Sequence, residues 1–208
     1  MILNYNPSPE LYLGLDLGKL RDYTVLAILE RRFQQCEWNA VQYAHPRRPV
    51  LILRDLVRLP LNTPYTKVPS LIRDGLMRYQ SVSGRITGSR TLIVDAGGVG
   101  GAVMDIIRRT QIPNLRLVAI TTTGGNDPRC ARSGSYNVPR RDLLTALKGT
   151  VEAKSLLIPR TLPLAQNLFD ELAALRTKGK APGKHNDLVM ATALAIYWAV
   201  QRNKALLG

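Results

Sequence analysis

Three aspartates stand where an ionised side chain is hard to place. Asp16 closes the apolar run LYLGLDL, Asp95 closes TLIVD, and Asp187 precedes LVMATALAIYWAV. A carboxylate in so apolar a setting is costly to bury unless a positive group compensates it, and a metal ion or an arginine can do so. Brought together, three carboxylates suit hard divalent cations. Two such ions, Mg²⁺ or Mn²⁺, held about 4 Å apart would activate a water and stabilise a leaving oxyanion, the chemistry of phosphodiester hydrolysis. The only histidines are His45 and His185, which argues against a histidine-rich zinc hydrolase. Each aspartate also has a structural reading. Asn186 could cap the following helix, and Asp187 would favour the positive end of that helix's dipole.

The elements that must position these residues alternate between strands and helices. Leu11–Leu17 reads as a buried strand ending at Asp16, Tyr23–Arg31 as its paired neighbour, and Val50–Leu59 as a third strand after a linker containing Pro46 and Pro49. Pro69–Tyr79 has helical spacing of Leu71, Ile72, Leu76 and Met77. Thr91–Val94 is a fourth strand ending at Asp95, followed by a glycine-rich turn, a helix over Val99–Arg109 and a fifth strand over Leu115–Ile120. That strand–helix–strand unit builds parallel sheets. Thr121–Asn137 reads as a long loop or hairpin, with helices over Arg140–Leu147 and Pro163–Leu175 separated by Ser155–Ile158. A last helix runs from Asn186 to Arg202. Strand ends are where open α/β sheets expose their sites, so Asp16 and Asp95 could meet at one edge.

The bulk composition narrows the partners. The chain has 208 residues with an apolar fraction of 45% and a charged fraction of 21%, ordinary values for a folded domain, and no linker or repeat divides it, so residues 1–208 read as one domain. A net charge of +14 is not ordinary, and it favours a polyanion such as nucleic acid. Cys36 and Cys130 are far apart and fit neither a disulfide scaffold nor a zinc site. With no signal peptide and no membrane-spanning stretch, a soluble cytoplasmic protein is expected. Arg129, Arg132, Arg140 and Arg141 cluster in or after the long loop, and Lys178, Lys180 and Lys184 lead into Asp187 along with Arg176. These are candidate nucleic-acid contacts; with aromatics at only 6%, duplex is favoured over stacking on single strands.

The ordered segments GLDLGKLRDYTVLAILE, LIVDAGGVGGAVMDII, YNVPRRDLLTAL with SLLIP, and HNDLVMATALA resemble the nuclease domain of tailed-phage terminase large subunits. The resemblance runs from about Leu11 to Val200. It implies an α/β, ribonuclease-H-like fold with a central mixed sheet of five or more strands flanked by helices. It also implies two-metal cleavage of double-stranded DNA during capsid filling, with Asp16, Asp95 and Asp187 as metal ligands and Asp22 in support. A packaging ATPase, a portal or a small terminase subunit would be the partners, and the cytoplasm would be that of a host if the protein is viral. Two departures stand out. Many relatives carry two adjacent aspartates in the third motif, and here the first is Asn186. No GxxxxGK[ST] loop occurs either, so the chain reads as a nuclease without its ATPase motor, whether excised or free-standing.

Three alternatives share parts of this pattern. Holliday-junction resolvases have the same fold and acidic cluster. GLDLG and VDAGG also resemble the phosphate turns of the actin and sugar-kinase superfamily, though that architecture is roughly twice as long. A non-catalytic DNA-binding module is the third. GGVGGAV fails the dinucleotide pattern, because Val103 stands where glycine or alanine belongs.

Overall fold

Successive side chains of a strand take opposite faces, and β1 (Glu10–Asp16) sorts its residues accordingly. Leu11, Leu13 and Leu15 enter one apolar cluster and Tyr12 the other, so Gly14 and Asp16 belong to the face of Tyr12. The computed structural model describes residues 8–18, 22–84, 88–125, 129–130, 135–176 and 186–207. After β1 come β2 (Val25–Gln35), β3 (Arg47–Arg58), α1 (Val68–Ser83), β4 (Arg90–Asp95), α2 (Gly100–Arg109) and β5 (Leu115–Thr123). They are followed by β6 (Arg129–Cys130), β7 (Tyr136–Pro139), α3 (Arg140–Glu152), β8 (Leu156–Leu157), α4 (Ala165–Arg176) and α5 (Asp187–Leu207).

The described strands form one eight-stranded mixed sheet in the order β6-β7-β5-β4-β1-β2-β3-β8. β1, β4, β5 and β7 run parallel to one another, whereas β2 is antiparallel to β1 and to β3. The carboxyl ends of the four parallel strands therefore share one edge. α1 and α2 cover the face of Leu11, Leu13 and Leu15, packing Leu71, Ile72, Leu76, Val103 and Ile107 on it. α5 covers the other face and carries α3 and α4 against it. From Leu188 to Ala199 only Trp198 escapes full burial, which is why this helix has no polar face.

Close approach of α5 explains one glycine. A Cβ on Gly14 would lie 1.9 Å from the Ala191 carbonyl oxygen and 3.0 Å from the Ala195 amide nitrogen. The first glycine of GLDLG is thus a packing requirement, not a phosphate turn. Replacing Gly14 by alanine must push α5 off the sheet, at a cost of about 2 kcal/mol. Thermal unfolding of Gly14→Ala should show a midpoint several degrees lower; an unchanged midpoint would mean α5 slides freely over β1.

Several expected boundaries move. β3 begins at Arg47, so the segment expected as a linker up to Val50 is strand, with Pro49 opposite Phe33 where only β2 is a partner. Within Thr121–Asn137, β5 continues to Thr123, and β6 and β7 form an antiparallel pair with β7 parallel to β5. Leu156–Leu157, expected only as a break between helices, adds to β3. Among the described residues no helix is long and apolar enough to cross a membrane.

Candidate active site

Register puts the first two carboxylates side by side. Parallel β1 and β4 pair Leu15 with Val94, so the next residues, Asp16 and Asp95, leave the sheet abreast on strands about 4.8 Å apart. Period-two alternation sends Asp95 to the same face as Ile93, which packs beneath α5. The chain then turns away behind each aspartate. The Thr24 hydroxyl donates to the Gly18 carbonyl at 2.9 Å and lies 3.2 Å from the Gly18 amide, fastening the turn that follows Asp16. Behind Asp95, Gly98 takes φ +60 in the tight turn leading to α2. The Gly97 amide donates to Asp95 Oδ1 at 3.0 Å and the Thr122 hydroxyl to Oδ2 at 2.7 Å, which orients that carboxylate.

Asp187 arrives from the other side as the first residue of α5. It is only 4% exposed, and its Oδ2 accepts from the Tyr23 amide at 2.9 Å. The Asn186 carbonyl takes the helix's early backbone bond, from Met190 at 2.9 Å, so Asn186 holds the capping position expected of it. The Val189 amide is satisfied from elsewhere in the chain, by Glu171 of α4 at 3.1 Å. Burial raises the Glu171 pKa and the Asp187 charge raises it further, against the Val189 amide and Arg58.

The three aspartates are electrostatically one group. Burial, followed by the charges of Asp95 and Asp187, pushes the Asp16 carboxyl from 3.8 to about 8; Arg140 opposes this and Asp22 adds to it. Glu30 makes a useful contrast. It is fully buried in β2, yet Arg54 meets it at 2.7 Å, the Tyr79 hydroxyl at 3.0 Å, and Arg32 closes on its other oxygen. That carboxylate is structural. Among the described residues the positive charge that acts on Asp16 is Arg140, which begins α3 directly after Pro139 and is exposed.

Of the expected basic contacts, Arg140 is thus at the carboxylate edge. Arg141 is exposed beside it and pairs with Asp142 at 3.4 Å. Arg129 lies in β6 opposite Asn137. Arg132, Lys178, Lys180 and Lys184 fall outside the described residues. Sequence reasoning missed Thr122, Tyr23, Arg58 and Glu171. Thr122 could have been found from alternation, since Val118 and Ile120 place it on the α5 face; the other three carry no such signal.

Among the described residues no three acidic, thiol or imidazole groups are drawn together closely enough to form a finished metal cage. The donors nonetheless fit a divalent cation in type and charge. All are carboxylates, and burial, reinforced by the charges of Asp95 and Asp187, raises the Asp16 pKa to about 8, a strain that a cation would relieve.

The mixed sheet, with its acidic edge and a buried C-terminal helix across one face, is a ribonuclease-H-like fold. Among solved structures it is similar to viral terminase nuclease domains. The human cytomegalovirus terminase nuclease domain matches over 94% of this chain and 89% of its own, with TM-score 0.58 and 13% identity. The large terminase nuclease domain of bacteriophage SPP1, solved with bound Mn, matches over 93% and 86%, with TM-score 0.51 and 12% identity. The large terminase nuclease of thermophilic phage G20c covers 92% and 83%, with TM-score 0.50 and 16% identity. No protein-family model and no curated protein matches the sequence. The chain has the fold of these nuclease domains, at a sequence distance where the fold is what is shared.

Proposed function

We propose that this chain is a metal-dependent endonuclease that hydrolyses double-stranded DNA, as in the cutting of concatemeric viral DNA during packaging. One observation carries the reading: Asp16 and Asp95 leave adjacent parallel strands abreast, and buried Asp187 adds its charge to theirs from α5. Asp16, Asp95 and Asp187 would hold two ions, Mg²⁺ or Mn²⁺, and bound there such ions supply the Lewis acidity that phosphodiester hydrolysis needs. Thr122 and the Gly97 amide keep both Asp95 oxygens in one orientation. Arg140, exposed beside Asp16, offers a positive rim to the scissile phosphate. The reading covers cutting and assigns no translocation to residues 1–208, which read as one nuclease domain that would work with a separate packaging ATPase, portal or small subunit.

The experiment is direct. Supercoiled plasmid with Mn²⁺ should be nicked and linearised; with EDTA, or with no added metal, it should stay intact. ATP should not be hydrolysed, and a four-way junction should be cut no faster than duplex. Preferential junction cleavage would favour a resolvase, and no cleavage with any divalent ion would overturn the proposal.

The basic residues lend themselves to a second measurement. Lys178, Lys180 and Lys184 lie within ten residues of Asp187 in the chain, and we assign them to backbone phosphates together with Arg129, Arg132, Arg140 and Arg141. Substituting the three lysines by alanine should weaken duplex binding and flatten the slope of log K against log salt by about 2–3. A slope equal to wild type would remove them from the interface.

A further inference from the structure

Asp16 and Asp95 are fixed by strands in the sheet, but Asp187 stands in the first turn of α5, before the point where Ala191 seats that helix against Gly14. Its position is set by other contacts. Four contacts close a circuit around it. Arg58, the last residue of β3, meets Glu171 Oε1 through Nη2 at 2.6 Å. The other oxygen of Glu171 accepts from the Val189 amide in the first turn of α5, at 3.1 Å. Two residues back in that turn, Asp187 accepts from the Tyr23 amide at 2.9 Å. The Tyr23 ring lies 4.8 Å from the Arg58 guanidinium, which completes the loop.

We infer that Arg58 and Glu171 are positioning residues that hold Asp187 over Asp16 and Asp95, in cooperation with Tyr23. The chemistry of the contacts supports this. The Arg58–Glu171 pair is mostly shielded from water, with side chains 21% and 10% exposed, so its attraction is less screened than that of a surface pair. Glu171 joins the pair to the helix terminus, because one oxygen faces Arg58 and the other an otherwise unsatisfied first-turn N–H. Three segments distant in sequence, ending β3, leading into β2 and lying within α4, thus converge on the start of α5. Neither residue needs to touch substrate for this. The inference rests on the proposed nuclease reading for its consequence, though not for its geometry.

Two readouts on the full chain test it. The first needs no metal. In Arg58→Ala and Glu171→Ala, amide hydrogen exchange at Tyr23 and Val189 should speed up by tenfold or more, while amides of central β1 and β4 keep wild-type protection. The second is Mn²⁺ binding by calorimetry together with cleavage across a Mn²⁺ titration. Both alanine variants should lose roughly 10–100-fold in Mn²⁺ affinity, the effect expected of groups that orient metal ligands. Cleavage at saturating Mn²⁺ should return to within a few-fold of wild type. Glu171→Gln, whose amide oxygen still accepts from Val189, and Arg58→Lys should lie in between; they also serve if an alanine variant fails to fold.

Unchanged exchange and unchanged Mn²⁺ affinity in both alanine variants would overturn the inference. So would a Glu171→Ala protein that stays inactive at saturating Mn²⁺ beside an unaffected Arg58→Ala, since Glu171 would then be a ligand in its own right. A wild-type protein that binds no Mn²⁺ would defeat the nuclease reading instead, and the exchange data would still judge the circuit.

Discussion

Asp95→Asn is expected to abolish cleavage of plasmid in Mn²⁺ while leaving the fold and duplex binding intact. The substitution removes the charge and one of two acceptors at unchanged size. The asparagine oxygen can accept from Thr122 in place of the contact at 2.7 Å, whereas its NH2 group cannot accept from the Gly97 amide. What is lost is half of the side-by-side pair made by β1 and β4. Loss of metal-assisted charge stabilisation is worth several kcal/mol, and each 1.36 kcal/mol is a factor of ten, so activity should fall on the order of a thousandfold. Asp16→Asn and Asp187→Asn should behave alike, because the three form one electrostatic group. Asp105→Asn is the control: that aspartate is exposed on α2 and, among the described residues, pairs with Arg108 one turn away. It should cut as wild type does. A fully active Asp95→Asn would place the chemistry elsewhere, and a fully active Asp187→Asn would reduce that residue to its helix-terminus role.

The aspartates were legible because burial makes them anomalous. A charged residue at the end of an apolar run, with glycines behind it, has few explanations, and the strands at Leu11 and Thr91 are short enough for period two to fix which face each residue takes. The α5 helix was legible for a similar reason: from Leu188 to Ala199 its sequence has no polar stripe, so that stretch had to be covered on every side. The contacts around Asp187 were not legible. Glu171 lies in QNLFDELAAL beside Asp170, and nothing local distinguishes the one that turns inward from the one that pairs with Gln166 at the surface. Arg58 is one of twenty-nine basic residues, and its role depends on the register of β3 against β2. Short edge strands were hidden too. β8 has two residues, and its pairing with Leu51 and Ile52 is set by where α3 releases the chain, which no local pattern encodes.

Glu30 and Asp16 show why burial alone does not mark a site. Both are acidic and set in apolar strands, yet Arg54 and Tyr79 from neighbouring elements and Arg32 of its own strand surround Glu30, while Asp16 faces other carboxylates. The difference lies in partners supplied by β3 and α1 in one case and by β4 and α5 in the other. Sequence shows the anomaly; topology decides whether it is resolved.

That unresolved charge has a measurable consequence for the metal-free protein. With the folded-state pKa of Asp16 raised from 3.8 to about 8, the folded chain holds a proton that the unfolded chain releases. Stability from this group is therefore complete below about pH 4, declines as pH rises through the window between the two values, and levels off above about pH 8. Other carboxylates act in the opposite sense, so the informative quantity is the difference between wild type and Asp16→Asn, which has no proton to lose. In EDTA the two should melt at similar temperatures near pH 4, and the variant should gain steadily above that. A shift of this size corresponds to several kcal/mol, or a gap of about 10 °C at pH 8 for a chain of this length. Adding Mn²⁺ should raise the wild-type midpoint and close much of the gap, since a cation neutralises the charge that asparagine merely removes. The inactive variant would then be the more stable protein only without metal, which ties the strain at Asp16 to cation binding rather than to imperfect packing. Parallel pH profiles for wild type and Asp16→Asn would show instead that Asp16 is already compensated, and would remove the electrostatic argument for a metal centre at this edge.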